Sequence, residues 1–348
     1  MPFVLTGCSN PSLVEQFSQR QPAFYAYITG PIESKSFKSQ ASKVPVSHAS
    51  CQKVITASIA LQEMGVDFKF KTILYERLDN RQGVVYVLKG FGDPNLNSDE
   101  LLSLLKNITV PGSLVIDTNY FKQPSYSPNL MVNDLGSSYA NPVSSLNLDH
   151  NLILVQLSPN KEGISTIPDY PTIQVIKENN SRIKLEWDDE SIKVIGDLKK
   201  EASKITFELS PLNHQKFIQK KISQLVSQYQ IPLTTITWLE GSIPEHELRE
   251  IATHQSEPLH KTMIAAMHNS DNLFFDSIYL SLIANQSPNA QLWEDGDSII
   301  KNLIQKHFGI SMDRAYFVDG SGLSRYNRFE SQQLFSILKQ AYQHPGFI

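Results

Sequence analysis

Between Ser50 and Gly65 the chain sets apolar side chains at Val54, Ile55, Ala57, Ile59, Ala60, Leu61 and Met64, more than one helix face can hold. Such density predicts a helix buried on most sides, with Gly65 as its C-terminal stop. A helix of this kind lies inside a domain, so it constrains everything packed around it. At its mouth stand Ser50 and Lys53. Three residues apart, their hydroxyl and amine share one helix face, one turn from each other. A serine is a poor nucleophile until a base takes its proton, and a lysine desolvated beside it can be that base. The same Ser-x-x-Lys spacing recurs at Ser103/Lys106, Ser158/Lys161, Ser181/Lys184, Ser298/Lys301 and Ser336/Lys339. Spacing alone therefore does not choose; the buried helix singles out the first pair.

Around that helix the texture shifts twice. Phe24 to Thr29 reads as a strand ahead of it, and from Phe68 onward strands dominate. Phe70–Tyr75 and Val84–Leu88 are strand-like, joined by the turn-forming Asp79–Gly83. Asn97 followed by Glu100 is a capping box that opens a helix through Leu101, Leu104 and Leu105, and Gly112 to Ile116 gives another strand. Short strands at 153–157, 172–176, 183–187, 192–195 and 205–209 alternate with polar turns, the pattern of a small β-rich module. Helical spacing returns at Phe217, Ile218, Ile222, Leu225 and Val226, and again from Glu245 to Ile251. Residues 258–284 read as helices flanking the polar break His268-Asn269-Ser270-Asp271-Asn272, and a last helix runs from Glu330 to Tyr342. The pattern is a helical framework interrupted by a long β-containing insertion, so both ends of the chain belong to one domain.

Bulk properties narrow the function. At 348 residues the chain can hold two or three cores. With 41% hydrophobic and 19% charged residues and a mean hydropathy of -0.25, it reads as an ordinary globular protein. A net charge of -4 without a long basic run argues against nucleic acid as a partner. No apolar stretch approaches the roughly 18 residues of a membrane span. The two cysteines, Cys8 and Cys51, define neither a disulfide framework nor a zinc site, and no metal or cofactor is expected. Gly90-Phe91-Gly92-Asp93-Pro94 turns into proline and reads as a strand-ending turn rather than a phosphate loop. Leu5-Thr6-Gly7-Cys8 looks like a lipobox, with Cys8 as a possible lipid anchor, although no charged and apolar leader stands upstream.

Ser270-Asp271-Asn272 is the second element of interest. Alone it reads as a helix-capping turn far more readily than as a site, and Ser127-Pro128-Asn129 and Ser145-Leu146-Asn147 share its spacing. Paired with an upstream Ser-x-x-Lys, it resembles the Ser-Asp-Asn element of penicillin-recognising acyl transferases. Further blocks fit one branch of that class: 65–72, 87–96, 141–147, Ser256-Glu257-Pro258-Leu259 and Asp319-Gly320-Ser321-Gly322-Leu323-Ser324-Arg325. In this order they resemble the class C low-molecular-weight penicillin-binding proteins, the D-alanyl-D-alanine carboxypeptidase/endopeptidase family.

The resemblance implies an α/β (α+β, multidomain) fold, a serine β-lactamase-like transpeptidase domain with large β-rich insertions. Residues 1–67 and 251–348 would form the penicillin-binding domain, 68–149 and 210–250 an insertion domain, and 150–209 a small β-rich domain nested within it. It implies that Ser50 attacks the carbonyl between two terminal D-alanines and that Lys53 accepts its proton. Ser270 would relay a proton to the leaving amine, Asn272 would bind the substrate amide, and Asp271 would shape the loop. The Gly320–Arg325 block would be architectural. Peptidoglycan stem peptides would be the substrates, β-lactams covalent inhibitors, and the periplasm or cell envelope the location. A non-catalytic cell-wall-binding scaffold is the alternative, and a β-lactamase fits the long insertion less well. Three departures stand out. Cys51 follows the nucleophile directly, Asp276 stands where the family often has glutamate, and no Lys-Thr-Gly or Lys-Ser-Gly triplet occurs. That triplet would anchor the peptide carboxylate and complete the oxyanion hole, so these 348 residues by themselves are expected to be crippled in turnover.

Overall fold

The computed structural model describes residues 27–29, 38–40, 43–77, 83–122, 126–158, 163–169, 172–177, 183–188, 190–197, 204–287 and 292–344. The Leu5–Cys8 motif, most of the Asp79–Gly83 turn, and Lys161 and Ser181 of the alternative pairs lie outside them. The chain forms two compact units. One comprises residues 1–68, 258–271 and 278–348; the other comprises 69–257 and 272–277.

In the first unit, β1 (Tyr27–Thr29) pairs antiparallel with β2 (Lys38–Gln40). β3 (Pro45–Val46) leads through a 3-10 turn at Ala49–Cys51 into α1 (Gln52–Glu63). The dense apolar pattern has the expected result: Ile55, Ala57, Ile59, Ala60 and Leu61 are buried. Gly65 follows at φ +88°, a conformation that costs glycine nothing and ends the helix.

The second unit is built on a five-stranded sheet. β4 (Lys71–Arg77), β5 (Val84–Gly90) and β6 (Gly112–Asp117) supply its middle. Between β5 and β6 lies α2 (Ser98–Leu105), whose Asn97 and Glu100 form the expected capping box. β7 (Ile153–Ser158), β8 (Gly163–Ile167) and β12 (Ile205–Leu209) make a three-stranded sheet with β7 central. β9 (Thr172–Ile176), β10 (Lys184–Trp187) and β11 (Ser191–Ile195) make another with β11 central. α3 (His214–Tyr229) follows, with Asn213 as its cap, and then β13 (Leu233–Trp238) and β14 (Leu248–Gln255) close the two edges of the large sheet. Its order is β13-β6-β5-β4-β14. One apolar cluster joins Leu74, Leu88, Leu105, Leu114, Phe217 and Ile222 to Ile153, Val155, Ile192 and Val194, so residues 150–209 share a core with the large sheet.

In the first unit α4 (Leu259–Asn269) ends at Ser270; α5 (Asn272–Gln286) begins two residues later, its residues 272–277 counted with the second unit and the rest with the first. α6 (Leu292–Phe308) buries Leu292, Gly296, Ile300, Leu303, Ile304 and Phe308, one stripe at helical spacing. β15 (Phe329–Glu330) pairs with β3, and α7 (Ser331–Ala341) follows. α1 packs against α4, α6 and α7. Tyr279 of α5 is buried, donates to the Phe317 carbonyl at 3.0 Å and stacks on Trp293; the bare Cα of Gly296 leaves room for its hydroxyl.

One expectation fails. Glu245 to Ile251 is not helical: a short 3-10 turn at Glu245–Glu247 runs into strand β14. The ladder of β14 on β4 shifts between Glu250 and Ala252, leaving Ile251 as an extra residue. That bulge breaks the two-residue alternation of a strand and sets Leu248 and Ile251 three apart, the spacing of a helix. β8, β13 and α6 were not expected from the sequence pattern.

Candidate functional site

Ser50 sits in the 3-10 turn that starts α1 and is exposed, whereas Lys53, one turn on, is only 2% exposed. Lys53 Nζ donates to the Ser321 carbonyl at 2.8 Å and lies 3.2 Å from Ser50 Oγ. Ser270 Oγ is 3.2 Å from the same Ser50 oxygen. Ser50, Lys53 and Ser270 are therefore brought together, with the nucleophile candidate between an amine and a second hydroxyl. Because Ser321 O can only accept, one N–H of Lys53 is committed to it, which fixes how the amine faces Ser50.

Three of the other Ser-x-x-Lys serines bond within their own helices. Ser103, Ser298 and Ser336 donate to the backbone carbonyls of Asp99, Asp295 and Gln332 in their own helices, the ordinary behaviour of a serine in or near a helix. Lys301 is paired with Asp297 at 2.7 Å.

The turn beneath Ser50 is strained and held. Ala49 has φ 47° and Ser270 φ 52°, left-handed conformations that cost an ordinary residue roughly 1–2 kcal/mol. They persist where the surroundings over-determine them. Against Ala49 packs a knot centred on Asp319, which is fully buried. Its carboxylate accepts from the backbone N–H of Gly322 and of Ser324 and from Asn327 Nδ2, each at 2.7 Å. The knot presents Ser321 O to Lys53 and Gly320 O to Thr56 Oγ1 at 2.8 Å, while Gln52 Nε2 reaches Asp319 O at 3.3 Å. Gly322, at φ +82°, lies so close that a Cβ there would be 2.0 Å from the Ala49 carbonyl oxygen. The Gly320–Arg325 block is thus a turn, and it forms the floor under the start of α1. Asn327 carried no sequence signal, since an asparagine after a turn has many uses.

His48, two residues before Ser50, stacks on Phe329 at 4.3 Å, and its Nε2 lies 3.0 Å from the Phe329 carbonyl. A carbonyl accepts only, so Nε2 carries the proton and the ring pins the turn. Burial holds its pKa below the usual histidine value, with the Phe329 hydrogen bond opposing. Cys51 is exposed and not in a disulfide.

Asn272 belongs to the second unit, where its Nδ2 donates to the Tyr139 carbonyl at 2.7 Å. Tyr139 O is a backbone acceptor far away in sequence, and nothing in the residue types announces it.

A serine hydroxyl held between a buried lysine and a second serine, at the head of a buried helix, is an arrangement in which a hydroxyl can be activated for attack. The chain belongs to the D-Ala-D-Ala carboxypeptidase 3 (S13) family, matched over residues 15–347, and spans less than two thirds of the length of the curated relatives it matches. It is 26% identical over 315 residues to the D-alanyl-D-alanine carboxypeptidase DacB of Haemophilus influenzae, covering 84% of this chain and 65% of that protein. It is 24% identical over 328 residues to a D-alanyl-D-alanine carboxypeptidase of Actinomadura sp. (strain R39), covering 85% of this chain and 60% of that protein. The crystal structure of penicillin binding protein 4 (dacB) from H. influenzae matches with a TM-score of 0.79 at 23% identity, over 96% of this chain and 79% of the other. The fold is therefore the mixed α/β fold of a penicillin-binding protein.

Proposed function

We propose that the protein is a serine-type D-Ala-D-Ala carboxypeptidase/endopeptidase of peptidoglycan stem peptides, working through an acyl-Ser50 intermediate in the cell envelope. The observation that carries this reading is the position of Ser50 Oγ, 3.2 Å from both Lys53 Nζ and Ser270 Oγ. In the proposed reaction neutral Lys53 accepts the Ser50 proton as Oγ bonds to the carbonyl carbon between the two terminal D-alanines. The C–N bond then breaks, and the proton reaches the leaving amine through Ser270. Water enters by the reverse route, releases the shortened peptide and regenerates Ser50. The N-terminal position of Ser50 on α1 adds the positive end of a helix dipole beside the developing charge. Asn272 would hold the substrate amide. Support also comes from the relatives' names and from a second H. influenzae penicillin binding protein 4 structure solved with a β-lactam.

A fluorescent penicillin tests the assignment. The protein should be labelled covalently, peptide mass mapping should place the label on Ser50, and Ser50→Ala should abolish it. Labelling that survives in Ser50→Ala would put the nucleophile elsewhere. No labelling at any penicillin concentration, with no D-alanine release from a stem-peptide mimic, would favour a non-catalytic wall-binding scaffold.

A further inference from the structure

The amide of Asn272 donates an Nδ2 proton to the Tyr139 carbonyl, so the placement of that carbonyl helps to orient the amide. That carbonyl lies in irregular backbone, held within itself by Ser137 N–H on Asp134 O at 3.0 Å and Ala140 N–H on Ser137 O at 2.9 Å. The Tyr139 hydroxyl donates to Asp134 Oδ1 at 2.8 Å. Asn141 Nδ2 ties Ser138 O to His150 O at 3.0 Å each, and further supports come from the end of β12 and from β10. Ser210 donates its N–H to Gly136 O at 2.9 Å and its hydroxyl to Ala140 O at 3.3 Å, and Ser137 bridges Leu209. The indole of Trp187, at the end of β10, meets both partners of this clamp. Its Nε1–H donates to Ser210 O at 3.2 Å, and its six-membered ring sits against Gly136, where a Cβ would fall 2.2 Å from Cζ2. Gly136 has φ +84°, so the notch combines a glycine-favouring conformation with a ring that leaves no space for a side chain.

We infer that Trp187 is a positioning residue for Asn272: through Gly136 and Ser210 it fixes the segment whose Tyr139 carbonyl orients the Asn272 amide. The β-rich stretch that carries Trp187 thereby contributes to substrate binding without touching substrate. This consequence for catalysis rests on the reading of Asn272 as the substrate-amide ligand; the positioning itself does not.

The test uses the full chain with asparagine labelled in its side-chain amide with ¹⁵N, the Asn272 signal being identified by its loss in Asn272→Asp. In Trp187→Ala that signal should shift and its amide protons exchange about tenfold faster or more, as a loosened acceptor predicts. Trp187→Phe, which keeps a ring over Gly136, should restore part of the protection. Trp238→Ala, an indole removed from the same apolar cluster but on β13, should leave the signal in place. In a chain that penicillin labels, Trp187→Ala should raise KM for a stem-peptide mimic more than it lowers kcat. If Trp187→Ala does not fold, Gly136→Ala drives a Cβ into the ring and should give the same shift. An Asn272 signal unchanged in these variants would overturn the inference. If wild-type protein takes no penicillin at all, the functional reading fails while the amide signal still decides the positioning.

Discussion

Acid should destabilise the second unit through His214, and the size of the effect follows from its surroundings. The ring is 4% exposed, at the start of α3. Its Nε2 lies 3.2 Å from Asn151 Oδ1, an acceptor, while Nδ1 is buried without a hydrogen-bond partner. Nε2 therefore carries the proton and donates, so a second proton must go on Nδ1, where no acceptor meets it, and burial pushes the pKa down to about 3 from 6.5. In the unfolded chain the ring recovers the ordinary value, so between the two pKa values the unfolded state binds the extra proton. The contribution is therefore fully present above pH 6.5 and is lost as pH falls toward 3. At ~1.4 kcal/mol per pH unit, acidification from pH 7 to 4.5 removes about 2.5 kcal/mol, a large share of a stability of about 5–15 kcal/mol. Other groups act at the same time. At Asp149 desolvation by burial is the largest single effect, but the hydrogen bonds and charge of Lys221 and the hydrogen bonds of Ser98 together outweigh it and hold the pKa down, which adds a loss at lower pH. His254, raised chiefly by Asp93 and further by Glu100, gains stability as pH falls. A difference between two proteins cancels both. His214→Phe keeps a ring beside Phe217 and removes the titration, and Asn151 Oδ1 retains its hydrogen bond from Leu148 N–H at 3.0 Å. Urea unfolding followed by tryptophan fluorescence at pH 7 and 4.5 should show wild type losing about 2.5 kcal/mol more than the variant. Equal losses would refute the buried neutral histidine.

Three further outcomes bear on the first unit and its neighbour. Gly322→Ala should destabilise by at least roughly 1–3 kcal/mol and slow penicillin labelling, because φ +82° is strained for alanine and the Cβ meets Ala49 O; an unchanged Tm and labelling rate would contradict this. Asp319→Asn places an amide NH₂ among three N–H donors at 2.7 Å and should cost about 3 kcal/mol in urea unfolding, with labelling reduced as Ser321 O leaves Lys53. Asn97→Ala removes the acceptor of the Asp99 and Glu100 N–H groups and should cost about 1 kcal/mol by thermal unfolding, with labelling unchanged.

What could be read from the sequence was local. The apolar run of α1 and the capping box at Asn97 are written in residues that sit within a turn or two of one another, and so are Ser50 and Lys53. The strands between 153 and 209 were legible because polar turns separate short β-branched runs, although the exposed β8 lacked enough apolar contrast to show. β14 was misread where a single bulged residue changed the period. What could not be read was which distant backbone atoms would receive these side chains. Ser321 O, the partner of Lys53, lies 268 residues away, and Tyr139 O, the partner of Asn272, lies 133 away. A carbonyl has no residue-type signature, so its role becomes visible only once the chain has folded.

The physics still links the two kinds of information. A lysine inside a helix as apolar as α1 is costly unless something accepts its protons. The buried pattern around Lys53 therefore demands an acceptor from another segment. The 319–325 stretch, with its aspartate, two glycines and two serines, and with Asn327 just beyond it, can fold tightly enough to bring a bare carbonyl into that space. The same turn must also leave no side chain over Ala49, which is why glycine occupies position 322. Substitutions in the turn and in α1 should consequently be non-additive. Lys53→Met removes the amine that Ser321 O receives, so Asp319→Asn added to it should slow labelling little further, although it should still lower stability. A double variant whose labelling loss equals the product of the two single losses would show that the knot acts on Ser50 independently of Lys53.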